Sequence, residues 1–241
     1  MLKIVISQAN LKSIIDAVSH VADEVKLQIM PDGLKIESVD PASVVMVFLH
    51  ASSGAFEYFK ADAGTIALDL PKLASLTGGK DNVTLELEEE THKLKIAVGR
   101  AKYTMSLLDP GALKPAPRIP ELDLPAAVTM PGEDLRDAIV AALKVSDHVV
   151  LEQSDEAFTM SAKGDIDAFE MPISLSEMLA VKHGASRALF SLGYMDDISK
   201  VAKGSDNVMI ETGIDYPAKI TFNLGESINV QYLLAPRIEQ E

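Results

Sequence analysis

No cysteine occurs in the 241 residues. Its absence excludes disulfides, a thiolate nucleophile and any cysteine metal site, and it fits a reducing compartment. Long apolar runs are missing too. The longest, Val44–Leu49 and Ala138–Leu143, hold six residues each, against the roughly 20 that a membrane helix needs. No segment is expected to cross a bilayer, and the opening Met1–Ser7 turns polar too soon for a secretory signal. Reactive constellations are equally scarce. The five histidines (His20, His50, His92, His148 and His183) are scattered, without the i, i+4 spacing of a helical zinc pair. Gly78-Gly79-Lys80-Asp81 lacks both the leading glycine and the Ser or Thr of a phosphate loop, and no G-x-S-x-G or G-x-G-x-x-G occurs. The Asp147-His148 pair reads as a helix-to-strand turn, and Glu86, Glu88, Glu89 and Glu90 as a solvated hairpin end. The expectation is a protein that is not an enzyme, with no catalytic residues, metal or cofactor.

What is present is an ordinary globular composition, 47% hydrophobic and 24% charged, in a chain long enough to bury a sizeable core. Its 22 basic against 36 acidic residues give a net charge of −14. Bulk charge of that sign argues against nucleic acid, yet it does not say where the charges sit.

The chain repeats itself. Adding 124 to Leu11, Ile15, Ala17, Val21, Asp23, Val25 and Leu27 gives Leu135, Ile139, Ala141, Val145, Asp147, Val149 and Leu151, seven identities in seventeen positions. At an offset of 125, Gly79-Lys80-Asp81-Asn82-Val83 meets Gly204-Ser205-Asp206-Asn207-Val208, and at 126, Leu107-Leu108-Asp109-Pro110 meets Leu233-Leu234-Ala235-Pro236. Five of the twelve prolines (Pro110, Pro115, Pro117, Pro120 and Pro125) fall within sixteen residues, the composition of a semi-rigid connector. The expected organisation is a domain over 1–111, a connector over 112–125 and a second domain over 126–241.

Within each copy helical and strand periods alternate. Leu11, Ile14, Ile15, Val18 and Val21 follow amphipathic-helix spacing behind Asn10 as N-cap, and Leu135, Ala138, Ile139, Ala142 and Val145 do so behind Asp134. A short helix is expected from Asp69, with Pro71 in its first turn and Gly78-Gly79 as its stop, and its partner from Leu192 to Lys203. Strands are expected over Val25–Ile29, Leu34–Val39, Val44–His50, Val83–Glu88, Leu94–Val98 and Tyr103–Leu108, with a similar set in the second copy. Few helices and many hairpin-linked strands indicate an α+β fold with antiparallel sheets.

Three sequences, taken with the duplication and the connector, resemble one family. They are Glu37-Ser38-Val39-Asp40-Pro41-Ala42-Ser43-Val44, Met130-Pro131-Gly132-Glu133 and the ending Tyr232-Leu233-Leu234-Ala235-Pro236-Arg237-Ile238-Glu239. The family is proliferating cell nuclear antigen, the sliding clamp of archaeal and eukaryotic DNA replication. The resemblance implies two tandem clamp domains, with sheets outside and helices lining a channel. Three chains would close head to tail as a homotrimeric ring around double-stranded DNA.

By the same resemblance the channel cations are Lys12, Lys72, Lys80, Arg136, Lys144, Lys200 and Lys203, interleaved with Asp16, Asp196 and Asp197. They would steer DNA through an assembly that is negative overall. The subunit interface is expected at two edge strands, with Tyr103 and Met105 on one and Phe169 and Met171 on the other. Partners (DNA polymerase, clamp loader, ligase and nucleases) would insert a short clamp-interacting motif against Val39, Val44, Met46, Ile119, Pro217, Leu233 and Ala235. Leu233 departs from the pattern, since many relatives carry an aromatic residue there. The implied function is a processivity factor that tethers replication and repair enzymes to DNA. It would act at the nucleoid in the cytoplasm if archaeal and in the nucleus if eukaryotic. Two alternatives stay open: a subunit of a heterotrimeric or checkpoint-type clamp, and a two-domain enzyme with an unrecognised site.

Overall fold

The structure, a computed structural model, describes residues 1–115 and 122–238. Among these residues the first copy runs β1 (Leu2–Ile6), α1 (Gln8–Ser19), β2 (Glu24–Met30), β3 (Gly33–Val39), β4 (Val45–Ser52), β5 (Tyr58–Ala61), β6 (Gly64–Asp69), α2 (Leu70–Thr77), β7 (Val83–Glu88), β8 (Lys93–Val98) and β9 (Ala101–Ser106). The second runs β10 (Ala126–Pro131), α3 (Gly132–Ala142), β11 (His148–Gln153), β12 (Ala157–Lys163), β13 (Ala168–Ser174), β14 (Ala180–Lys182), β15 (Ser186–Ser191), α4 (Leu192–Lys200), β16 (Asn207–Thr212), β17 (Ala218–Leu224) and β18 (Ile228–Leu234). The two lists match element for element, and β3 and β12 differ by 124 at both ends. The duplication in sequence is a duplication in structure.

The chain divides into one unit of Met1–Arg118 with Leu224–Val230, and another of Ile119–Asn223 with Gln231–Glu241. Much of the expected connector, including Pro117, Ile119 and Pro120, lies outside the described residues. Every strand pairing within a unit is antiparallel. In the first unit the sheets run β5-β1-β7-β8-β9 and β4-β3-β2-β6. In the second they run β14-β10-β16-β17 and β13-β12-β11-β15.

Alternation and helical spacing explain which faces are buried. Leu2, Ile4 and Ile6 point inward from β1 while Lys3 points out, and Leu11, Ile14, Ile15 and Val18 form the buried stripe of α1. Leu70 and Leu73 of α2 join them, with Leu27, Ile36, Leu85 and Leu94 from the strands, around one small apolar void of about 40 Å³. Each such side chain contributes about 1.5–3 kcal/mol by leaving water. The second unit packs alike: Leu135, Ala138 and Ile139 of α3 and Met195 and Ile198 of α4 are buried, together with Leu151, Phe158 and Phe190 of the strands.

Several local expectations need correction. Helix α1 begins earlier than the apolar period suggested. Its N-cap is Ser7, whose Oγ accepts from the Asn10 N–H at 3.2 Å, so Asn10 is inside the helix. Helix α3 starts behind Pro131, leaving Glu133 and Asp134 as first-turn acids that suit the dipole. Helix α4 stops at Lys200, and Val201–Gly204 is a separate tighter turn. Strand β9 ends two residues before Leu108. Three first-copy strands, β1, β5 and β6, were not among those expected. The second helix is as read: the Asp69 carboxylate caps it, accepting from the Lys72 N–H at 2.8 Å, and Pro71 sits in the first turn.

Candidate functional site

The seven cations all lie on or just beyond the four helices, but their surroundings differ. Lys12 on α1 is exposed and paired with Asp16 one turn on, at 2.5 Å. Arg136 on α3 is partly buried. Its Nη1 donates to the Asp196 carboxylate at 2.6 Å, to the Asp196 carbonyl at 3.1 Å and to Ser199 Oγ at 2.8 Å, tying α3 to α4. Lys200 bridges Asp197 at 2.7 Å and Asp196 at 2.9 Å. Burial works against charge on Asp196, but the hydrogen bonds from Arg136 and Lys200 outweigh it and hold the carboxyl below its ordinary range. Hydrogen bonds to Asp197 and then Asp196 in turn raise Lys200. Arg136 and Lys200 are thus both engaged by acids of the second unit. These bonds add acid partners to two of the expected channel cations, as the interleaved acids of the sequence suggest.

Lys72, Lys80, Lys144 and Lys203 are exposed, and none forms an ion pair among the described residues. A groove of about 670 Å³ beside the start of α3 is lined by Arg136 and Lys203 together with Glu133, Asp137 and Asp206. The helix surface of this unit is thus a mixture of signs.

The residues expected to receive partners fall into two groups. Val39 and Met46 are opposite each other in the β3–β4 register, both half-buried. Half-buried Val44 is held nearby by Asp40, a residue whose role the sequence reading missed. The Asp40 carboxylate, only 5% exposed, accepts from the N–H groups of Ala42 at 3.1 Å, Val44 at 2.7 Å and Val45 at 2.9 Å. The Asp-Pro-Ala-Ser spacing was a signal for this Asx-type turn. In the second unit Pro217 and Ala235 are half-buried and Leu233 is buried. Ile119 lies outside the described residues.

The proposed seam residues occupy real sheet edges: β9 bonds only to β8 within its sheet, and β13 only to β12. Tyr103 is 41% exposed, and Phe169 and Met171 are half-buried. Met105 is not available to a neighbour. It pairs in register with buried Leu94 and is itself 1% exposed, because alternation turns it into its own core. Among the described residues no helix is long and apolar enough to cross a membrane, and no acid or histidine cluster is placed to hold a metal.

Comparisons with known proteins agree over the whole length. Residues 1–106 match the proliferating cell nuclear antigen N-terminal domain, and 118–237 its C-terminal domain. The chain is 51% identical over 244 residues to a DNA polymerase sliding clamp of Methanothrix thermoacetophila, and 42% identical over 245 to one of Methanosarcina barkeri, each alignment covering all of both chains. A solved structure of the A. fulgidus proliferating cell nuclear antigen bound to the C-terminal region of FEN-1 matches with a TM-score of 0.95 at 34% identity, covering both chains entirely. The Thermococcus kodakaraensis homologue shares the fold, with a TM-score of 0.88 at 24% identity, 98% of this chain and 100% of the other being covered.

Proposed function

The chain belongs to the proliferating cell nuclear antigen family, and from that premise we propose that it is a DNA sliding clamp, a processivity factor that holds polymerase and other replication and repair enzymes on duplex DNA. The observation that carries this reading is the full-length likeness, in sequence and in fold, to proteins named for that role. Tethering works through effective concentration: a polymerase that lets go of the primer end stays close to it while the clamp remains threaded. The chain itself performs no reaction in this reading.

Assembly follows from the free edges. A head-to-tail contact whose rotation closes makes a ring, and pairing β9 of one copy with β13 of the next would cover both open edges. Tyr103, Phe169 and Met171 would border that seam. Lys72, Lys80, Lys144 and Lys203 would meet phosphates, with Lys12, Arg136 and Lys200 contributing less because of their acid partners. Val39, Val44, Met46, Ile119, Pro217, Leu233 and Ala235 would receive client motifs, consistent with the relative bound to the C-terminal region of FEN-1. The relatives are archaeal, so the reading assigns the protein to the nucleoid rather than to a nucleus.

Primer extension on a singly primed circle tests the function. Added clamp and loader should lengthen the polymerase products, and unchanged product length would refute it. Native mass separates self-closure from a heterotrimeric clamp. A self-closing chain should appear near 78 kDa, three times its 25.9 kDa, whereas a persistent monomer would favour the mixed ring.

A further inference from the structure

We propose that Lys182 is a positioning residue that fixes the far end of the interdomain connector to the second unit and thereby sets how the connector is presented to client motifs. Its link to clients rests on the clamp reading above. Lys182 ends β14 and lies opposite Ala127 of β10. From there its Nζ donates to the Leu124 carbonyl at 2.7 Å and lies 3.5 Å from the Asp123 carboxylate. A lysine that bonds a main-chain carbonyl holds the path of the chain, which a carboxylate partner alone would not do. The lysine is itself held from behind: its carbonyl accepts from Nε2 of Gln153, a side chain 2% exposed, at 2.9 Å.

Two glycines make room for the same segment. A Cβ on Gly184 would lie 2.4 Å from the Pro125 carbonyl oxygen, and one on Gly213 would lie 3.3 Å from Pro125 Cδ. Leu124, 2% exposed, is buried beside Pro125. Residues 123–125 are thus seated by a buried leucine, a close backbone approach and one long cation. The Lys182 side chain remains 54% exposed, so its bonds add little to global stability. What they remove is freedom at one end of the connector, and ordering that end in advance lowers the entropy a client must overcome.

The test compares Lys182→Met, Lys182→Arg and Gly184→Ala with the wild-type protein. The readouts are tryptic cleavage after Arg118, calorimetric affinity for a peptide from the C-terminal region of FEN-1, and the thermal midpoint. Lys182→Met should be cut several-fold faster and bind the peptide about three- to tenfold more weakly, the scale of losing one hydrogen bond at a half-exposed site. Its thermal midpoint should stay at the wild-type value. Lys182→Arg, which can still reach the carbonyl, should restore both properties, and Gly184→Ala should reproduce the defect by displacing Pro125. Cleavage of Lys182→Met at the wild-type rate would overturn the anchor, and faster cleavage with unchanged affinity would overturn its link to clients. Failure of the wild-type protein to bind the peptide would instead count against the clamp reading, while the cleavage comparison would still decide the role of Lys182.

Discussion

The Arg136 guanidinium is turned into the fold, where one nitrogen serves three oxygens of α4. Its removal would leave the partly buried Asp196 carboxylate with Lys200 alone, so Arg136→Ala should lower unfolding stability by about 1–3 kcal/mol, the cost of stranding a buried hydrogen-bond partner. The pH dependence has a definite sign. Asp196 is held below its ordinary range, so the folded state binds its proton less readily than the unfolded chain. Its contribution is complete above the ordinary carboxylate range and is lost as pH falls through and below that range. Urea midpoints measured from pH 7 to pH 3 should therefore fall less steeply for Asp196→Asn than for wild type; parallel curves would contradict the assignment. The sequence made the positions of the cations on helices legible, because helical spacing is local. It did not make their partners legible, since Asp196 meets Arg136 across 60 residues of chain.

Strand edges carry the assembly argument, and here position along the strand decides which residues matter. Tyr103 and Met105 share a face of β9, but Tyr103 is at the exposed margin while Met105 lies over Leu94 in the core. Tyr103→Asp should shift the protein from trimer towards monomer in sedimentation, because closing the seam would desolvate an unpaired charge. Met105→Asp should instead unfold the first unit. An unchanged trimer for Tyr103→Asp would remove β9 from the interface. The repeat, the buried stripes of α1 and α3, and most strands could be read directly from periodicity. The misses have physical causes. The cap of α1 precedes its apolar stripe by several residues, so Asn10 looked like the start when Ser7 was. The Asp40 turn and the Lys182 anchor depend on backbone groups, which a pattern of side chains does not display.

At the scale of the whole molecule, the net charge of −14 per chain gives a closed trimer 3 × −14 = −42, so any hold on DNA must come from local cations and from topology. Replacing Lys72, Lys80, Lys144 and Lys203 with Ala should weaken the loaded clamp's contact without changing its mass. It should also flatten the dependence of log affinity on log salt, since fewer counterions would be released. An unchanged slope would mean that these four lysines do not face phosphate. Such contacts are blind to base sequence, and they need only be weak if the ring is closed. Retention on closed circular DNA after loading, compared with the same DNA linearised, therefore tests the central claim most directly. The clamp should remain on circles through a high-salt wash and leave linear molecules by sliding off their ends. Equal retention on both forms, or no retention on circles with a competent loader present, would contradict it.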